Sequence, residues 1–303
     1  MPVFRARRKG DPLSSAAVPH PLSDSLACPA CSGDVDLGTD AAICAGCGRS
    51  YRVVHGVPWM VEGHHGSEDD HFETVSLDVI HYINHHKDPW RLFTRGVEED
   101  ALAHLLAGLD GSHRVLDLGG GPGFYADRMR QAGKEMVVCD LAKHFVMKGS
   151  LLFPLQSYAM GDAASLPFRD GTFDGVVCFR SMIYVKDLPR VLREIHRVLR
   201  PGGRLCFVDR NRWSPLHWWK YRTGQYNATI GEFPYYFTKP ALGRMLKEAG
   251  FPGTKWTGDH FCFPLLFPIP SLMKPGARLK ASQALARLMP RFSFYLVAHA
   301  RKP

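Results

Sequence analysis

From Arg114 onward, short apolar runs alternate with stretches whose apolar residues recur at helical spacing, the pattern of a doubly wound α/β sheet. The runs are Val115–Leu118, Met136–Cys139, a weaker one at Ser157–Met160, Gly175–Phe179 and Arg204–Asp209, with a closing strand predicted over Phe292–Ala300. Helices are predicted over Leu188–Leu199 and Pro240–Ala249. The first is closed by Arg200-Pro-Gly-Gly203 and the second by Gly250, since proline and glycine stop helical propagation. Upstream, Val75–Ile83 and Glu98–Leu109 show helical spacing on either side of the turn-like Lys87-Asp-Pro89, after a polar linker from Gly63 to His71. Residues 1–26 hold several Pro and Ser with no sustained period and read as a flexible leader.

With 303 residues, 45% hydrophobic and 22% charged, the chain can bury a full core as one large domain with a small appendage. The apolar stretch Phe261–Pro270 is about half the ~20 residues of a membrane span and is interrupted by three prolines, so no transmembrane segment is expected. The basic start, with Arg5, Arg7, Arg8 and Lys9, lacks the apolar run of a secretory signal. The net charge of +9 comes from residues 201–303, which hold 16 Lys/Arg against 4 Asp/Glu; residues 1–200 hold 22 against 25. A basic surface there suits nucleic acid, phosphorylated metabolites or anionic lipid, or simply keeps the protein in solution.

The cysteines change the picture at the N-terminal side. Cys28-Pro-Ala-Cys31 and Cys44-Ala-Gly-Cys47 are two knuckles twelve residues apart, a spacing at which four thiolates close a tetrahedral Zn2+ site with a structural role. A disulfide pair or a redox site is the alternative for these four. Cys139, Cys178 and Cys206 sit in strand-like apolar surroundings, as small core residues do, and the pattern suits a reducing cytoplasm. His64, His65, His71, His81, His85 and His86 form no ligand spacing with carboxylates, and no second metal is expected.

The segment Asp117-Leu-Gly-Gly-Gly-Pro-Gly123 joins a strand to a helix. Gly119, Gly120, Gly121 and Gly123 let the backbone turn sharply and approach a ligand closely. Asp140 ends the next strand, where a carboxylate can accept from both hydroxyls of a ribose, and Asp162 follows the third strand, in reach of an adenine amine. A glycine turn with a ribose acid also serves nicotinamide dehydrogenases.

Over Arg114 to Gly253 these residues resemble the class I S-adenosylmethionine-dependent methyltransferases. Leu166-Pro-Phe-Arg-Asp-Gly-Thr-Phe-Asp-Gly-Val-Val177 looks like that family's fourth-strand motif, and Val198-Leu-Arg-Pro-Gly-Gly-Arg-Leu205 like its fifth-strand lead-in. The resemblance implies a Rossmann-like, seven-stranded α/β core of strand order 3-2-1-4-5-7-6 behind a zinc ribbon at 27–62 and a helical, cofactor-covering linker at 63–110. It implies a glycine turn under the methionine of S-adenosyl-L-methionine, with Asp117 near its amino group, Asp140 on the ribose and Asp162 on the adenine. Leu141, Gly161, Ala163 and Phe179 complete the same cofactor surface. The sequel Tyr51–Met60 is similar to the hairpin tail of zinc ribbons that precede some methyltransferase cores, among them ribosomal RNA guanine methyltransferases.

Methyl transfer from a sulfonium is an in-line displacement that depends chiefly on holding donor and nucleophile together away from water. In Phe179-Arg-Ser-Met-Ile-Tyr184, where the family faces its acceptor, Arg180 and Tyr184 are the polar catalytic candidates. The Asn/Asp-Pro-Pro-Tyr tetrad that grips a base amine is absent after Val177, which counts against an exocyclic nitrogen. Trp213, Trp218 and Trp219 are expected to cap the pocket, and the apolar insertion at 258–290 to form a lid rather than lie on a membrane. A small or lipid-linked metabolite is the preferred acceptor, through oxygen, nitrogen or carbon, and an RNA base is second. A non-catalytic cofactor-binding subunit is the third reading. These motifs imply no oligomeric state.

Overall fold

A computed structural model describes residues 21–61, 89–223, 237–258, 260 and 275–303. The expected helix Val75–Ile83, the linker at 63–71, the six histidines between 64 and 86, and the Phe261–Pro270 stretch lie outside the described residues. Four antiparallel strands come first, β1 (Val35–Leu37), β2 (Ala41–Cys44), β3 (Ser50–Val54) and β4 (Val57–Pro58), in the order β1-β2-β3-β4. Helix α1 (Pro89–Gly108) leads into the large sheet.

The large sheet contains β5 (Arg114–Leu118), β6 (Glu135–Asp140), β7 (Ser157–Met160), β8 (Phe173–Phe179), β9 (Leu199–Arg210), β10 (Lys255–Gly258) and β11 (Tyr295–Arg301). Their order is β10-β11-β9-β8-β5-β6-β7. Numbered within the sheet this is 3-2-1-4-5-7-6, the expected order. Only β11 runs antiparallel to its neighbours.

Alternate side chains of each strand enter opposite faces, and both faces are covered. Leu116 and Leu118, Val137 and Cys139, Val176 and Cys178, and Leu205 and Phe207 belong to one buried cluster. Val115, Met136, Val138, Val177, Phe179, Cys206 and Val208 belong to the other.

The second face is covered by α1, α2 (Phe124–Gln131) and α3 (Lys143–Leu152). The first is covered by α4 (Leu188–Val198), α6 (Lys239–Glu248) and the small sheet. Leu188, Val191, Leu192, Ile195 and Val198 of α4 recur at helical spacing and are all buried, each contributing about 2 kcal/mol. Asp187 starts that helix by accepting from Arg190 N at 3.0 Å. Leu199 is extended, and the strand predicted from Arg204 begins there instead.

Helix α5 (Pro215–Arg222) buries Leu216 and His217 and leaves Trp218 and Trp219 58% and 39% exposed. Trp213 lies under the Arg291 guanidinium, 4.1 Å away. Helix α7 (Pro275–Leu288) occupies the far half of the expected insertion and packs on α1, where Asp100 accepts from Gln283 at 2.6 Å and lies 2.8 Å from His260 Nε2.

The small sheet packs directly against the core. Leu22, Leu26, Cys28, Val35, Ala42, Cys44, Tyr51, Val53 and Met60 share one buried cluster with β5, β6 and β8. Residues 21–26, read from sequence as part of a flexible leader, are therefore packed, because Leu22 and Leu26 fill that cluster. Beyond β7 the large sheet is prolonged by a parallel bridge from Trp59 to Met160. No helix among the described residues is long and apolar enough to cross a membrane.

Candidate active site

The sequence-predicted donor residues converge at the carboxyl ends of β5, β6, β7 and β8, where open α/β sheets form their ligand crevice. Asp117 lies near the end of β5, 2% exposed. Gly119, Gly121 and Gly123 follow with φ of 68°, 55° and 79°, left-handed values that β-carbon-bearing residues rarely adopt. Gly120 is needed for space: a Cβ there would stand 2.6 Å from the Asp117 carboxyl carbon. A Cβ at Gly119 would stand 2.4 Å from that of Ser181, whose hydroxyl donates to Leu118 O at 2.9 Å. The turn is thus clamped between its own aspartate and the loop after β8.

Asp140 ties the turn to the second strand. One carboxylate oxygen accepts from Gly121 N at 2.8 Å and the other from Ala142 N at 2.9 Å. Its backbone carbonyl accepts from Gly161 N at 3.1 Å, which brings the loop after β7 alongside. Asp162, exposed, accepts from Ala164 N at 2.8 Å, and Ala163 packs against the core. Leu141 is 37% exposed beside Asp140.

Burial and the neighbouring Asp140 push the Asp117 carboxyl up to about 7. Burial also raises Asp140, against the amides it accepts from. One Asp117 carboxylate oxygen is buried with no hydrogen-bond partner in the protein. A buried carboxylate left short of a donor, under a turn emptied of side chains, fits a ligand that brings a cationic donor, as the amino group of S-adenosylmethionine does.

The acceptor-side candidates sit after β8. Phe179 is buried, with its ring centroid 4.3 Å from that of Tyr125 and 6.5 Å from that of Tyr295. Arg180 takes a left-handed φ of 59° and its guanidinium pairs with the carboxylate of Glu98 on α1. Tyr184, in the short 3-10 turn Met182–Tyr184, is 42% exposed.

That turn is set by Asp209, which accepts from the amides of Met182 and Ile183 at 3.1 and 3.2 Å and is held up near 6 by burial. Glu98, Ser181 and Asp209 escaped sequence reasoning. Asp209 at a strand end is the one with a readable signal, since Glu98 is paired only by the tertiary fold.

Arg180→Ala should destabilise the protein by about 1–3 kcal/mol, since it removes a cation that pairs with the 6% exposed Glu98. Arg180→Gly should lose less, because glycine accepts the left-handed φ. Thermal unfolding of the two variants compares them directly.

The cysteines form a second centre. Their four Sγ atoms lie within 4.8 Å of one another, with Cys28–Cys47 at 3.7 Å and Cys31–Cys44 at 3.5 Å. Thiolates about 2.3 Å from one tetrahedral ion stand about 3.8 Å apart, whereas a disulfide needs about 2.05 Å. The donor set therefore fits a four-coordinate metal. Gly33 lies against it, where a Cβ would be 3.2 Å from both Cys31 and Cys44 sulfurs.

Residues 116–207 match the family model of the methyltransferase domain. A ubiquinone/menaquinone biosynthesis C-methyltransferase of Paracoccus denitrificans is 30% identical over 185 residues, covering 52% of this chain and 72% of that protein. A demethylmenaquinone methyltransferase of Streptomyces griseus is 32% identical, over 35% of this chain and 46% of its own length. A malonyl-[acyl-carrier protein] O-methyltransferase of Erwinia billingiae is 34% identical, over 31% and 38%. The chain thus spans less than half the length of the latter two.

Among solved structures, a chain from the complex between the Haloferax volcanii Trm112 methyltransferase activator and a methyltransferase shares the fold. Its TM-score is 0.51 and its identity 19%, over 69% of this chain and 93% of that one. The protein belongs to the S-adenosylmethionine-dependent methyltransferases, and methyl transfer from S-adenosylmethionine is its activity.

Proposed function

We propose that the protein methylates a small or lipid-linked metabolite, using a donor site built from the ends of β5 to β8. The observation that carries this reading is the wall after β8. There the buried Phe179 packs on Tyr125 of α2 and Tyr295 of β11, and the cation of the next residue, Arg180, is engaged by Glu98. Such a wall suits a neutral, largely apolar acceptor better than a phosphate backbone. The names of the similar proteins, quinone and acyl-carrier methyltransferases, point to acceptors of the same class.

S-adenosylmethionine supplies an electrophilic methyl on a sulfonium. Gly119 to Gly123 leave room for its methionine part, and the orphaned oxygen of Asp117 receives its ammonium. Asp140, with two backbone amides fixing its carboxylate, offers its remaining lone pairs to the ribose hydroxyls. Leu141, Gly161, Asp162 and Ala163 flank the adenine, and Phe179 borders the sulfonium. Tyr184 orients the acceptor, Arg180 borders it with its charge offset by Glu98, and Asp209 holds the turn that carries Tyr184. Catalysis then rests on positioning and exclusion of water. Cys28, Cys31, Cys44 and Cys47 hold a structural Zn2+, which fixes the ribbon and supplies no chemistry to methyl transfer.

A ribosomal RNA base is the second reading, supported by the 16 Lys/Arg against 4 Asp/Glu of residues 201–303. Methylation of fractionated cell extract with a labelled donor separates them. Label in organic-extractable or low-molecular-weight fractions is expected. Label confined to RNA, with RNA binding that weakens steeply as salt rises, would replace the metabolite by RNA.

A further inference from the structure

We propose that the first cysteine knuckle and the end of the ribbon position the loop after β7, so that metal in the four-cysteine centre sets the affinity for S-adenosylmethionine. The proposal rests on the donor-site reading above, in which residues 161–163 flank the adenine.

Both sides of that loop are tied to the ribbon. Pro29 lies between the ligands Cys28 and Cys31, and its carbonyl accepts from the Ser165 hydroxyl at 2.8 Å. Ala27, next to Cys28, donates its amide to Pro167 O at 3.1 Å. On the other side Met60 N donates to Met160 O at 2.8 Å, and Trp59 bridges Met160 in parallel. Leu26 bridges Phe168, and Arg169 N donates to Ser25 O at 2.8 Å. Seven residues, 161–167, are thus held at their start by β4's sequel and at their end by the knuckle.

The tie reaches Asp162 in a few covalent and hydrogen-bonded steps. From Cys28 the path runs through the Pro29 carbonyl to the Ser165 hydroxyl, and Ser165 N donates to Asp162 O at 3.0 Å. Ala163 and Ala164 pack against the buried cluster that also contains Cys28 and Cys44.

The knuckle itself is a short turn, with Ser32 in a left-handed φ of 58° and its amide donating to Cys28 O at 2.7 Å. Four sulfurs crowded within 4.8 Å keep that shape when one ion joins them; without it the first knuckle loses its tie to the second and keeps only its local bonds, such as Cys28 N to Gly33 O at 2.9 Å. Release of the knuckle frees Pro29 O and Ala27 N, and the loop after β7 loses one of its two anchors. By linkage, the bound cofactor raises metal affinity by the same factor that metal raises cofactor affinity.

The test measures binding rather than turnover. Full-length protein is titrated with S-adenosylhomocysteine when loaded with zinc, when stripped by chelator under reducing conditions, and when reloaded with zinc chloride. Affinity should fall by about tenfold on stripping, the worth of one or two lost hydrogen bonds, and return on reloading. Amide exchange should quicken over residues 160–168, with β8 and α4 still protected.

Ser165→Ala, which leaves all four cysteines in place, should weaken binding several-fold with its zinc content unchanged. It decides the matter if stripping unfolds the whole chain. Unchanged affinity in a stripped protein that keeps its β8 protection, or in Ser165→Ala, would overturn the coupling. Zinc-loaded wild type that binds no S-adenosylhomocysteine would instead overturn the donor site, and this proposal with it.

Discussion

Asp140→Ala is expected to weaken S-adenosylhomocysteine binding by about a hundredfold or more, because one side chain serves both the protein and the ligand. Its two oxygens accept from Gly121 N and Ala142 N, so removing them leaves two backbone amides unpaired, one in the glycine turn and one at the start of α3. It also removes the acceptors assigned to the ribose. Charge-assisted hydrogen bonds are worth about 1.5–3 kcal/mol each, so two of them already reach the stated factor.

Asp140→Asn separates the roles. An amide has one acceptor oxygen in place of two, so it satisfies either Gly121 or Ala142 and turns donors toward the other. Its affinity should fall between wild type and Asp140→Ala. Calorimetric titration of all three checks the order, and an unchanged affinity in Asp140→Ala would place the ribose elsewhere.

The sheet was legible because its signals are local. Each strand from Val115 to Asp209 carries its own apolar run, and each helix its own stop, so the order of motifs implied the order of strands. Even the weak run Ser157–Met160 forms a strand over those same residues, although only Tyr158, Ala159 and Met160 are buried in it. The strand β10 was not read, since Lys-Trp-Thr-Gly offers one large apolar residue and finds its place only by pairing with Leu296 to His299.

What remained hidden were contacts between distant segments of low apolar density. Leu22 and Leu26 are two leucines in a Pro- and Ser-rich stretch. Nothing local says that Leu26 meets Phe168 or that Pro29 meets Ser165. For the same reason the cysteine knuckles announced a metal but not their attachment to the loop beside Asp162. Arg180 follows the fourth strand of the core, where its position is legible, but its partner Glu98 sits on a helix that only the tertiary fold brings near. Trp218 and Trp219 are large and apolar, yet they face outward because α5 turns His217 inward against Phe294, at a ring distance of 4.3 Å.

Asp117 gives the second large effect, in the pH dependence of cofactor binding. Burial and Asp140 raise its carboxyl from the ordinary carboxylate range to about 7, so the free protein holds it protonated below neutral pH. A raised acid stabilises the fold fully below its unfolded value near 4, and that contribution is lost as pH climbs through 7. Wild type should therefore lose stability relative to Asp117→Asn between pH 4 and 7, a difference that thermal unfolding of the pair measures.

An ammonium brought beside the orphaned oxygen favours the charged form, so binding must expel the proton wherever it is still held. Cofactor affinity should then fall as pH drops below 7, by up to about tenfold per unit, with close to one proton released per molecule bound at pH 6 and none at pH 8. Asp117→Asn should bind more weakly at pH 8 and release no proton at either pH. Titration calorimetry in two buffers of different ionisation heat counts those protons. If wild type and Asp117→Asn release the same number at pH 6, the ammonium does not meet this carboxylate, and the glycine turn holds the methionine by its backbone alone.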